Sequence, residues 1–106
     1  MAKYLLKASY TTDGVKGVMK DGGSGRRAAV EETVRGLGGS LESFYFAFGD
    51  TDAYVVVDLP DNATAAAISL VVNAAGGAQV TTVPLMTPEE ADEATNKSVE
   101  YRPPGG

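Results

Sequence analysis

The short polar break Gly49-Asp50-Thr51-Asp52 constrains this chain more than any other stretch, because apolar runs press on it from both sides. Before it, Ser40 to Phe48 alternates as a strand, with Leu41, Ser43, Tyr45 and Ala47 on one face and Glu42, Phe44, Phe46 and Phe48 on the other. After it, Asp52 to Leu59 alternates again, Ala53, Val55 and Val57 opposite Tyr54, Val56 and Asp58. A turn this short joins antiparallel neighbours, since a parallel pair needs a long crossover. The centre of the fold is therefore a hairpin, and both of its faces carry large apolar side chains.

The rest of the chain wraps around that hairpin. Lys3 to Tyr10 is a strand with Tyr4, Leu6, Ala8 and Tyr10 on one face and Lys3, Leu5, Lys7 and Ser9 on the other. Thr11, Thr12 and Asp13 can cap a helix, and Val15, Val18 and Met19 have the spacing of a short one. The glycine-rich Asp21-Gly22-Gly23-Ser24-Gly25 interrupts it. A helix from Arg26 to Leu37 follows, with Val30, Val34 and Leu37 as its apolar stripe and Glu31 and Arg35 as an i, i+4 pair. Asn62 to Ala75 reads as an Asn-capped helix stopped by Gly76-Gly77, and Ala78 to Leu85 as a Val- and Thr-rich strand. Thr87-Pro88-Glu89-Glu90 starts a last helix. The order is β-α-β-β-α-β, which predicts an α+β, ferredoxin-like fold: a four-stranded antiparallel sheet with both helices on one face. Residues 1–95 form the domain, and 96–106 a polar C-terminal tail, free or laid as an arm on a partner. The uncovered sheet face predicts a second sheet packed against it, hence a homo-oligomer with a dimer as its unit and a shared barrel-like core.

Composition excludes several functions. With no cysteine and no histidine, the chain has no disulfide, no thiol nucleophile and no imidazole base or metal ligand. A net charge of −5 disfavours nucleic acid and anionic membranes as partners. No signal-peptide pattern opens the chain and no apolar run reaches membrane-spanning length, which predicts a cytoplasmic protein.

The run Phe44-Tyr45-Phe46-Ala47-Phe48-Gly49-Asp50-Thr51-Asp52-Ala53-Tyr54, continued by Val55 to Asp61, resembles the signature of the GYD-domain family. Lys3-Tyr4-Leu5 through Thr11, Arg26 to Glu31 and Ala65-Ala66-Ala67 fit the same family. The resemblance implies the ferredoxin-like fold of the dimeric α/β-barrel proteins, which include cofactor-independent oxygenases, isomerases and stress-response proteins. It departs at one place: Gly49 and Asp52 match the Gly-Tyr-Asp element, but Thr51 stands where the family has tyrosine.

Candidate side chains follow from chemistry. Asp50 and Asp52 could chelate a hard cation, but no calcium-loop pattern surrounds them, and turn chemistry accounts for aspartates in such a place. Asp58, Asp61 and Asn62 read the same way, with Asn62 as the helix cap. No metal set and no cofactor motif is present. Arg26 and Arg27 follow a glycine-rich turn at a helix start and could clamp an anion, or be solvated beside a Ser24 cap. Tyr10, Tyr45 and Tyr54 could present a phenol to a ligand, or pack. Asn73 interrupts an apolar helix and could bind a ligand carbonyl or close the helix end, with Ser69 beside it. Two functions fit. One is a small organic ligand between sheet and helices, touched by Tyr10, Asp52, Tyr54 and Asn73 and by Arg26 or Arg27, bound by a protein that acts as a cofactor-independent enzyme or only binds. The other is a non-catalytic oligomeric module for assembly or stress response.

Overall fold

The computed structural model describes residues 1–106. Strands β1 (Ala2–Tyr10), β2 (Ser40–Phe46), β3 (Ala53–Leu59) and β4 (Ala78–Leu85) alternate with helices α1 (Thr12–Gly36) and α2 (Asn62–Ala75), and α3 (Pro88–Thr95) follows. The four strands make one antiparallel sheet in the order β2-β3-β1-β4, the ferredoxin-like topology. α1 lies over β2 and β1, and α2 over β4 and β3. The core sits between these layers. Tyr4, Leu6, Val55, Val57 and Leu59 enter it from the sheet, and Val34, Ala65 and Ile68 from the helices. Each buried Leu, Ile or Val among them contributes about 1.5–3 kcal/mol by leaving water.

Alternation places β1 and β3 as read from sequence, but β2 departs. Leu41 is opposite Val57 while Ser43 is opposite Val56, so the ladder slips at Glu42. The extra residue of this bulge lets Leu41 share the helix-facing side with Phe44 and Phe46, where strict alternation separates them. The hairpin strands are also shorter than read. β2 ends at Phe46, and the turn closes through the Ala47 N–H donating to the Asp52 carbonyl at 2.8 Å.

The interruption expected over residues 21–25 is confined to Gly22, whose φ of 74° and ψ of 166° break an otherwise helical α1. Gly23 is helical, and its missing Cβ admits the Phe46 ring; a methyl there would lie 3.1 Å from Phe46 Cε2. Apart from Gly22 the run stays helical despite the poor propensity of glycine. The cap of α2 also differs from the reading. Asp61, not Asn62, accepts the Thr64 N–H at 2.8 Å, and the Asn62 side chain instead accepts the phenol proton of buried Tyr4. The capping box of α3 forms between Thr87 and Glu90.

α3 has no buried residue. With the tail it extends the molecule to 55 × 33 × 23 Å and a radius of gyration of 16.7 Å. A compact domain of this size has about 13 Å. The excess belongs to an arm that projects from the body. No helix is long and apolar enough to cross a membrane.

Candidate functional site

The layers do not close completely. Between the sheet and the diverging helices lies a cavity of about 150 Å³, walled by Leu6, Phe44 and Val55 from the sheet and Val30, Val34 and Ile68 from the helices. An apolar cavity of about that volume holds a benzene-sized molecule. Only Tyr10, Arg26 and Thr33 bring polar side-chain atoms to its lining. The Thr33 hydroxyl is engaged, donating to the Ala29 carbonyl one turn back at 3.1 Å.

Tyr10 and Arg26 stand at one end of the cavity, and both also line an adjoining cleft of about 330 Å³ with Gly14, Gly17, Val18 and Asp21. Each is placed by a local feature. Tyr10 is the last residue of β1, on the helix-facing side opposite Ala78. Its backbone N–H donates to Asp52 Oδ2 at 2.8 Å, and the Asp52 N–H donates to the Ala8 carbonyl at 2.8 Å, so the hairpin turn is bolted to the end of β1. Ser9 adds a third tie, its hydroxyl donating to the Asp50 carbonyl. Arg26 follows the Gly22 break by one turn and is half-buried.

Electrostatics single out the pair. Burial pushes the Tyr10 phenol above its ordinary value of 10.0; the Arg26 guanidinium beside it pulls the other way, and the Asp52 charge adds to the rise. At neutral pH Tyr10 is therefore a protonated hydrogen-bond donor. Arg26 itself has no carboxylate within ion-pair distance; the ion pairs of the chain are Lys3 with Glu42 and Asp58, and Arg35 with Glu31.

Tyr10, Arg26 and Asp52 are thus brought together, although Asp52 lines a neighbouring groove beside Phe46, Phe48 and Met19 and not the cavity itself. Arg27 is exposed and lines neither cavity nor cleft. Tyr54 is on the opposite face of the sheet, paired across strands with Tyr45 and Lys7. Asn73 is taken up by β4: its Oδ1 accepts the Val80 N–H at 2.7 Å and its amide donates to the Val80 carbonyl at 3.4 Å. Ser69 meets the hydroxyl of Thr82 at 3.2 Å. No three acidic side chains converge to hold a metal ion. The sequence reading missed Phe44, Val30 and Thr33 as lining residues. A signal existed for the two on α1: they extend the Arg26 face by one and two turns.

An α+β sandwich with a small apolar cavity between sheet and helices, and one free cation at its mouth, is the class of protein these features define. The chain belongs to the GYD domain family, whose pattern it matches over residues 4–95. Comparison with curated proteins and with solved structures gives no match.

Proposed function

We propose that this protein binds a small, mostly apolar organic molecule in the cavity between its sheet and helices. The cavity itself carries the reading: about 150 Å³ of unfilled space in a small core is destabilising unless something occupies it. Its few polar groups at one end are the arrangement of a ligand site, which orients an apolar body by a small number of contacts. Tyr10 could donate a proton or a hydrogen bond to an oxygen of the ligand, which is the chemistry a cofactor-independent enzyme without histidine or cysteine has available. A thermal-shift and NMR titration with benzyl alcohol tests binding. Chemical-shift changes centred on Ala8, Val55 and Ile68 support it, and Ala29→Leu, which fills the cavity wall, should remove them. A protein indifferent to such probes would be a packed scaffold.

The uncovered face of the sheet favours a companion reading as an assembly. Leu5, Val56 and Val83 are only half-buried there, and Tyr54 and Tyr45 stand exposed beside them. A second copy packed sheet to sheet would cover this stripe. Sedimentation at several concentrations should report a dimer, and Val56→Lys should return monomers; a wild-type monomer at high concentration removes the reading.

A further inference from the structure

The structure assigns a chemical class to the ligand of this cavity: a benzene-sized monocarboxylic acid, its ring or branched chain inside and its carboxylate against Arg26. The inference rests on the cavity being a ligand site. Its own ground is the placement of the single charge. Of the residues walling the cavity only Arg26 is ionic, and it stands where the cavity meets the cleft, lining both. A guanidinium carries five donors in a planar fork that fits a carboxylate in a bidentate way. No carboxylate of the chain stands within ion-pair distance of that fork, although Asp21 lines the same cleft, and apolar walls surround it on the cavity side. A half-buried cation loses hydration that only an anion or a strong dipole restores.

Tyr10 completes the recognition. Its phenol, held protonated by burial beside Arg26, offers a neutral donor to a carboxylate oxygen at the same junction. Size sets the rest of the ligand. A cavity of about 150 Å³ fits one six-membered ring. The carboxylate then lies at the junction with the cleft, partly in water, so its desolvation is small. The overall charge of −5 repels anions in general, and attraction is confined to this spot.

The test is a pair of titrations on the full chain, benzoate against its neutral counterpart benzyl alcohol, followed by NMR or calorimetry. Benzoate should bind about tenfold tighter, the scale of one charge-assisted pair, and should weaken as ionic strength rises. Arg26→Met should erase that preference, leaving benzoate no tighter than benzyl alcohol. Arg27→Met, one residue away and outside the cavity, should keep it. If benzyl alcohol binds in the cavity and benzoate binds no better, the carboxylate assignment falls and the cavity reading stands. If neither binds, both fall together.

Discussion

The Asp52 carboxylate accepts the backbone N–H of Tyr10 at 2.8 Å, across 42 positions of sequence. This bond joins the hairpin turn to the last residue of β1. It sets where β1 ends and so where the Tyr10 phenol enters the cavity. Asp52→Ala should lower stability by about 1.5 kcal/mol, the scale of a hydrogen bond to a charged acceptor. It should also weaken benzoate binding severalfold, because the phenol loses its fixed backbone. Asp52→Asn keeps an acceptor oxygen and should lose less than half as much in urea unfolding. Equal losses from the two variants would mean that charge, not this bond, is what matters at the turn.

Two glycines of α1 should respond to alanine in opposite directions. A Cβ on Gly14 would lie 1.8 Å from the Gly77 carbonyl oxygen, which is backbone and cannot step aside. Around that contact the Thr11 hydroxyl donates to the Gly76 carbonyl and accepts the Gly14 N–H, so the start of α1 and the turn after α2 are locked together. Gly14→Ala should cost about 2 kcal/mol or more, a fall in Tm of roughly 10 °C. Nothing lies within 4 Å of a Cβ built on Gly17. Gly17→Ala should therefore stabilise the helix by up to about 1 kcal/mol. Calorimetry of both variants decides; a Gly14→Ala protein as stable as the wild type would deny the close approach.

The fold was legible because hydrophobic period and turn chemistry agree along most of the chain. Alternation separated Ala53, Val55 and Val57 from Tyr54, but with apolar side chains on both faces it did not say which set meets the helices; burial puts the first set there and Tyr54 on the other side of the sheet. The bulge at Glu42 was not legible, since strict alternation of Leu41 to Phe48 offers a continuous strand with no glycine to mark the slip. The choice between Arg26 and Arg27 was not legible either. The Val30-Val34-Leu37 stripe points almost midway between them at the helix step of about 100° per residue. Only the position of the Gly22 break and the approach of β1 decide that Arg26 meets the cavity. Asp61 and Asn62 are both good caps, and the phenol of Tyr4, distant in sequence, is what draws Asn62 away.

Asn73 covers the outer backbone edge of β4, an edge strand of the sheet. Exposed edges invite pairing with other chains, and an amide that satisfies both the N–H and the carbonyl of one residue blunts such an edge. Asn73→Ala should cost about 1 kcal/mol. The Val80 amide should then exchange with solvent markedly faster than its neighbours, and aggregation on warming should rise. Unchanged Val80 protection would mean that α2 shields the edge without the amide.

The Asp61 cap makes a prediction in acid. Hydrogen bonds from the Thr64 hydroxyl and N–H hold its carboxyl below its ordinary value of 3.8. The stabilisation is whole above the unfolded value and is lost as pH falls through the lower folded one. Asp61→Asn keeps a capping oxygen without a titrating proton, so its stability should vary less with pH below about 4. Parallel pH-stability curves for the two proteins would show that the cap does not contribute to acid lability.

At the other end of the pH scale, Tyr10 reports on the mouth of the cavity. Burial raises its phenol above 10.0, with Arg26 opposing and Asp52 assisting. The folded chain therefore holds this proton more tightly than the unfolded chain. Its contribution to stability is complete below pH 10 and fades as pH climbs through the folded value. Tyrosine labelled at the ring carbon bearing the hydroxyl should show the Tyr10 signal titrating above 10, identified by its absence in Tyr10→Phe. Arg26→Met should move that titration higher still, because the opposing cation is gone. Benzoate should move it higher too, since a carboxylate beside the phenol disfavours its ionisation, and benzyl alcohol should not. A Tyr10 titration unmoved by Arg26→Met would separate the two side chains, and with them the proposed seat of the carboxylate.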